Sequence, residues 1–251
     1  MDRSFDDLVS EGASVPTEGW DFSWFDGRAT EERPTWGYAR LMGSRMAEAT
    51  AALDIQTGGG EVVSSVPVAP PTLVATEAWP PNLPVAAGNL GRRGGHVVQA
   101  DAAGELPFRS AVFDLAVSRH PIVLSWPEIA RVLRPGGRFL AQEIGPGSNR
   151  ELTDFMMGPQ PVGESRSPAR AAAQARAAGL DVVDLREASL RVEFFDVAAV
   201  VHFLRKVIWA DPDFSVERYR DRLAEMHRYI AEHGSFVSHS QRYLIEAVRP
   251  A

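Results

Sequence analysis

Three acids, Asp54, Glu77 and Asp101, each fall at or near the end of a short apolar run, and three consecutive glycines, Gly58 to Gly60, follow the first of them. A glycine run lets backbone approach a ligand where side chains would block it. A carboxylate such as Glu77 offers acceptors and no donor, which suits the paired hydroxyls of a ribose. Asp101 can accept from an exocyclic amine, with the Ala102 amide donating to a ring nitrogen, and Asp54 can pair with a ligand ammonium or with the amides of the glycine turn. His120 lies just past a fourth apolar run, and its neutral imidazole can take a proton near pH 7. Arg119 beside it can orient an acidic molecule or pair with a nearby carboxylate.

These residues converge only if the runs are parallel strands that end at one edge. Apolar segments at 51–55, 73–77, 96–100, 113–117 and 138–144 alternate with polar or turn residues. This rhythm predicts a mostly parallel sheet with helices on both faces. In such sheets ligands bind outside the carboxyl ends of the strands. On the fifth run Phe139, Ala141 and Glu143 take one side and Gln142 the other, so Gln142 and Glu143 face different layers.

The connecting elements have their own signals. Ser125 with Glu128 forms a capping-box pattern for a helix that Pro135-Gly136-Gly137 ends. Prolines 67, 70 and 71 limit any helix in the first crossover to about two turns. Residues 146–168 read as a loop or short-helix excursion, and 169–178 as an alanine-rich helix stopped by Gly179. A strand candidate at 180–185 follows. Asp196 caps a helix at 197–208 with the stripe Val197, Val200, Val201, Leu204 and Ile208. A second helix at 216–232 starts at Pro212 and Ser215, shares the face Val216, Tyr219, Leu223, Met226 and Ile230, and precedes Gly234. The last strand candidate is 242–248.

Residues 1–48 read as an N-terminal cap whose aromatics, among them Trp20, Trp24, Phe25, Trp36 and Tyr38, pack on the main domain or line a pocket mouth. The main domain runs over 49–251, with a helical insertion at 190–235 that serves as a substrate cover, as scaffold or as an oligomer contact.

With 251 residues, 45% of them hydrophobic, the chain can bury a sizeable core. A formal charge of -7 disfavours an extended phosphate-binding face, so small molecules fit better than nucleic acid. The absence of cysteine rules out disulfides, thiolate metal sites and a thiol nucleophile. No His-Glu-x-x-His or comparable spacing joins His202, His227, His233 and His239, so no metal is expected. No secretion signal or membrane-length apolar stretch is visible, and a cytoplasmic protein, alone or as a homo-oligomer, is the expectation.

The glycine run matches neither Gly-x-x-x-x-Gly-Lys-Ser/Thr nor Gly-x-Gly-x-x-Gly, which favours a nucleoside over a pyrophosphate ligand. Five ordered blocks carry a more specific likeness. They are Leu-Asp-Ile-Gln-Thr-Gly-Gly-Gly-Glu at 53–61, Thr-Glu at 76–77, Gln-Ala-Asp-Ala at 99–102, Leu-Pro-Phe-Arg-Ser-Ala-Val-Phe-Asp-Leu-Ala-Val-Ser-Arg-His at 106–120, and Glu-Ile-Ala-Arg-Val-Leu-Arg-Pro-Gly-Gly-Arg-Phe-Leu at 128–140. In these blocks the chain resembles the class I S-adenosylmethionine-dependent methyltransferases, over roughly 50–187 and again at 241–248.

The resemblance implies an α/β, Rossmann-like, seven-stranded mixed sheet with the last strand antiparallel. It implies S-adenosyl-L-methionine as cofactor, with Asp54, Gln56, Thr57, Gly58, Gly60, Glu77, Asp101, Ala102, Ser118 and Arg119 around it. Residues matching 118–120 line the methyl-transfer face, with His120 the candidate base. The family usually carries glycine at the position of Gln56. The glutamine side chain here can turn outward, hydrogen-bond the cofactor carboxylate or partly obstruct the pocket. The expected activity is methyl transfer to a small organic acceptor. The alternatives are RNA methylation and a catalytically silent methyltransferase-like binding protein.

Overall fold

The structure, a computed structural model, describes residues 3–17, 22–101, 103–207 and 213–251. Trp20, Ala102, Ile208 and Pro212 lie outside the described residues. In chain order the elements begin with α1 (Phe5–Ser14), a short 3-10 turn (Ser23–Phe25), β1 (Ala29–Glu31), α2 (Tyr38–Glu48), β2 (Ala51–Asp54) and α3 (Glu61–Ser64). They continue with β3 (Thr72–Glu77), α4 (Asn82–Gly91), β4 (His96–Gln99), β5 (Phe113–Arg119), α5 (Trp126–Val132) and β6 (Leu133–Ile144). The remainder is α6 (Arg150–Met157), α7 (Pro168–Ala177), β7 (Asp181–Phe194), α8 (Val197–Lys206), α9 (Val216–His233) and β8 (Phe236–Val248).

The strands form one eight-stranded sheet in the order β1-β7-β8-β6-β5-β2-β3-β4. Pairs β2–β3, β3–β4, β2–β5 and β5–β6 are parallel, while β6–β8 and β1–β7 are antiparallel. The architecture is the expected Rossmann-like mixed sheet with an antiparallel last strand, and it has one strand more than expected. That strand is β1, three residues paired with β7 from Ala29↔Phe194 to Glu31↔Val192. A run of three residues is too short to show a period of its own. From β2 the chain builds outward to β3 and β4, then returns to place β5 on the other side of β2. The strand order therefore reverses between β2 and β5, which opens a crevice at their carboxyl ends.

The chain packs into two compact units whose segments alternate along the sequence. One, the core unit, comprises 34–146, 164–188 and 242–251; the other, the helical unit, comprises 1–33, 147–163 and 189–241. In the core unit alternation along the strands sorts side chains onto two faces. Leu53, Phe113, Phe139, Tyr243 and Ile245 pack with Ile129 of α5 and Ala172 of α7. On the opposite face Ala52, Leu73, Leu115, Leu140 and Leu244 pack with Met42 and Met46 of α2 and Leu90 of α4. Two apolar faces, each covered by helices, are what the runs of consecutive apolar residues require.

In the helical unit, Val197, Val200, Val201 and Leu204 of α8 join Tyr219, Leu223, Met226 and Ile230 of α9, with Leu8 and Val9 of α1. Asp196 caps α8 by accepting from Ala199 N–H at 2.8 Å, and Ser215 caps α9 by accepting from Arg218 N–H at 3.2 Å. Helix α1 crosses α8 so closely that a Cβ at Gly12 would lie 2.4 Å from the Ala198 carbonyl oxygen. His202 is buried there between the rings of Trp24 and Phe25, at 4.9 and 5.0 Å between centroids.

The start of α5 departs from its expected capping box. Ser125 makes no side-chain cap bond, and Glu128 instead accepts from Leu106 N–H at 2.7 Å and pairs with Arg131. The glutamate thus serves the segment before β5, where it satisfies the amide of the buried Leu106. The helix also ends three residues before Pro135, which with Gly136 and Gly137 lies inside β6.

Candidate active site

The site grows from the end of β2, within the core unit. After Asp54 the chain turns through Gln56 at φ 57°, Gly58 at φ 63° and Gly60 at φ 76° into α3. The last glycine is obligatory: a Cβ on Gly60 would lie 2.4 Å from Leu90 Cδ1 and 3.4 Å from Ala86 Cα. The turn is tied to β3 by Thr57 N–H to Thr76 O at 2.9 Å and by Gly58 N–H to Glu77 Oε2 at 2.8 Å. The other Glu77 oxygen accepts from Trp79 N–H at 2.8 Å. Each carboxylate oxygen has a second lone pair, so Glu77 holds the turn and can still accept from a ligand.

Asp54 is buried and accepts from Thr57 Oγ1 at 2.6 Å. Burial pushes its carboxyl up to about 7, against the pull of the Thr57 hydrogen bond, and nearby Glu77 raises it further. Asp101 follows β4 on the same edge of the sheet, two residues beyond Gln99, which pairs with Glu77. It is exposed, and its Oδ1 accepts from Ala103 N–H at 2.9 Å. Its expected neighbour Ala102 lies outside the described residues.

Gln56 takes the left-handed conformation that makes glycine the easy choice there. Its Oε1 accepts from Ile122 N–H at 2.9 Å and its Nε2 donates to the Val123 carbonyl, so one side chain clamps the segment after β5. Two substitutions separate strain from clamping. Gln56→Ala keeps the left-handed strain and loses both bonds, so it is expected to cost about 1–2 kcal/mol in chemical denaturation. Gln56→Gly loses the same bonds and sheds the strain, so it should cost about 1 kcal/mol less. Equal losses for the two variants would show that the clamp alone matters.

At the end of β5 the expected residues divide. Ser118 is fully buried, its hydroxyl donates to Ile55 O at 2.7 Å and its carbonyl accepts from Tyr38 Oη at 2.8 Å. Its side chain therefore joins β5 to the end of β2 and leaves no donor for a ligand. Arg119 is exposed, and the part-buried His120 adopts φ 55°. The His120 amide donates to Gln142 O at 2.7 Å, and its ring Nε2 lies 3.1 Å from Gln142 Nε2. Burial holds the imidazole well below its ordinary 6.5, and the charges of Arg119, Arg242 and Arg166 push it the same way, so the ring is neutral at pH 7.

Several neighbours carry no signal in their own segments. Trp36 donates from Nε1 to Gln142 Oε1 at 2.8 Å. On the opposite face Glu143 pairs in register with Tyr243 of β8 and hydrogen-bonds its side chain, and burial pushes the Glu143 carboxyl up to about 7. The separation of Gln142 and Glu143 onto different layers is as strand alternation requires. Their partners come from positions 106 and 100 residues away, which no local period reveals. Among the described residues no group of three or more His, Asp or Glu is placed to hold a metal, and no helix is long and apolar enough to cross a membrane.

A reversed-order sheet with a glycine turn tied to an acid on the next strand defines the class I methyltransferase fold, and solved structures agree. A proposed methyltransferase of Bacillus halodurans C-125 superposes with a TM-score of 0.60 at 17% identity, over 85% of this chain and 99% of that one. A proposed sarcosine dimethylglycine methyltransferase of Galdieria sulphuraria gives 0.51 at 16%, over 99% of each chain. The 4+2 cyclase SpnF gives 0.54 at 18%, over 97% of this chain and 92% of that one, so the fold alone does not name the reaction.

Residues 53–141 match the family model described as a methyltransferase domain. No curated protein sequence matches the chain.

Proposed function

We propose that the crevice at the ends of β2, β3 and β4 binds S-adenosyl-L-methionine and that the chain transfers its methyl group to a small organic acceptor. One observation carries the reading: the glycine turn, the buried Asp54 and the Glu77 clamp are joined by direct hydrogen bonds at the point where the strand order reverses. The parts fit the cofactor. Glu77 has acceptor capacity for ribose hydroxyls, and the exposed Asp101 has it for an adenine amine. A ligand ammonium set against Asp54 would favour the ionised carboxylate that burial disfavours. The Gln56 side chain is engaged with the 122–123 backbone, and the Thr57, Gly58 and Gly60 amides are bonded within the protein, so the glycine turn offers the ligand close backbone approach and not a row of amide donors.

The donor, once bound, supplies an electrophilic methyl on a sulfonium. What the chain itself supplies is alignment, since an in-line approach between two held reactants removes much of the entropic barrier. The acceptor side is then formed at the end of β5, where Arg119 and His120 stand.

Calorimetry with S-adenosylmethionine is expected to show saturable one-to-one binding. Asp101→Ala should weaken it about tenfold or more while leaving the unfolding transition in place. A folded, monodisperse wild-type sample that takes up no cofactor would remove this reading.

A further inference from the structure

Two side chains that no motif singles out decide what His120 can do. An indole N–H is a donor only, so the Gln142 atom that faces Trp36 at 2.8 Å is its carbonyl oxygen. The Gln142 amide nitrogen is then the atom at 3.1 Å from His120 Nε2. That nitrogen can only donate, so the imidazole Nε2 must be the acceptor and the ring proton must sit on Nδ1. The His120 amide bond to the Gln142 carbonyl fixes the backbone of the same pair. Both Trp36 and Gln142 are buried, which keeps water from competing for these bonds.

We propose that Trp36 and Gln142 are positioning residues that lock His120 as a neutral Nδ1–H donor, and that this donor binds an anionic oxygen of the methyl acceptor. The inference rests on the methyl-transfer reading of the same crevice. With its Nε2 lone pair taken, His120 is a hydrogen-bond donor to the acceptor in place of the proton acceptor its sequence position suggests. Its surroundings favour negative charge in the acceptor. Arg119 precedes it in the chain, Arg242 pairs with Ile144 at the adjoining end of β8, and the charges of Arg119, Arg242 and Arg166 all act on the ring. A carboxylate-bearing acceptor would be favoured by this positive field and oriented by the imidazole N–H. The Glu143 carboxyl belongs to the other layer, with Tyr243.

The test is nitrogen-15 NMR of the His120 ring in the cofactor-free protein. The wild type is expected to show the Nδ1–H tautomer alone from pH 6 to 8. Gln142→Glu replaces the amide donor with a carboxylate acceptor, so the proton should move to Nε2 and the ring should titrate above its ordinary range. Trp36→Phe frees the Gln142 amide to flip, and a mixture of tautomers is expected. Sodium acetate should shift the wild-type Nδ1–H resonance saturably, whereas methylammonium chloride should not.

An Nε2–H ring in the wild type, or an unchanged tautomer in a folded Gln142→Glu protein, would overturn the lock. An Nδ1–H resonance indifferent to acetate would overturn the assignment of acceptor charge. Failure to bind S-adenosylmethionine would instead sink the methyl-transfer reading, and the tautomer result would stand apart from it.

Discussion

Replacing Asp54 with asparagine is expected to stabilise the ligand-free protein and to abolish tight cofactor binding. Burial raises the Asp54 carboxyl from its ordinary 3.8 to about 7. For an acid raised on folding, the folded state holds its proton more tightly than the unfolded chain does. The contribution to stability is therefore fully present below about 3.8 and is lost as pH rises through about 7. At pH 8 the wild type carries the whole cost of an ionised buried carboxylate, at most about 4 kcal/mol.

Asparagine carries no charge, and its carbonyl can still accept from Thr57. Thermal unfolding should rise by roughly 5–10 °C at pH 8 and by clearly less at pH 5. Calorimetry on the same protein should show the loss of the ammonium partner as a drop in affinity on the order of 100-fold. Equal stabilisation at both pH values would sink the charge argument, and unchanged affinity would sink the binding role. The combination is a trade of stability for function, as expected where a buried charge is retained for a ligand.

The second large effect is expected at Glu77. Its two oxygens each hold a backbone amide, Gly58 N–H and Trp79 N–H, and each keeps a second lone pair, which on the proposed reading takes a ribose hydroxyl. Glu77→Gln puts an NH₂ group where an acceptor stood, so one backbone N–H faces a donor and one ribose contact is lost. The remaining contact is no longer charge-assisted. At about 1.5–3 kcal/mol for each bond to a charged group, affinity should fall on the order of 100-fold or more. The loosened turn should also show as faster amide exchange at Gly58. A folded Glu77→Gln protein that binds within threefold of the wild type would remove Glu77 from the cofactor site.

Much of the fold is legible in the sequence. The strands at 51–54, 72–77, 96–99 and 113–119 lie within a residue or two of their apolar runs. Strands buried on both faces read as continuous hydrophobic stretches with sharp ends. Helices α8 and α9 were legible for a related reason, since a cap and a 3.6-residue stripe are both local. Helix α1 was not, because its ten residues carry only Phe5, Leu8, Val9 and Ala13 as apolar side chains and part of its close packing on α8 is made by Gly12. The capping box at Ser125 misled because a local pattern competed with a distant partner, the Leu106 amide, and the distant one prevailed.

At the site the same division holds. The order of acids, glycines and apolar runs, by itself, was enough to determine a parallel sheet whose strand ends bring Asp54, Glu77 and Asp101 to one edge. Strand period and glycine's conformational freedom are properties of single segments and can be read there. Only the tertiary structure decided that Gln56 clamps residues 122 and 123, that Ser118 is spent on β2, and that Trp36 and Gln142 dictate the proton on His120. Those outcomes depend on which donor meets which acceptor across dozens of residues. Hydrogen bonds of that kind have no period, and they exist only once packing has excluded water from both partners.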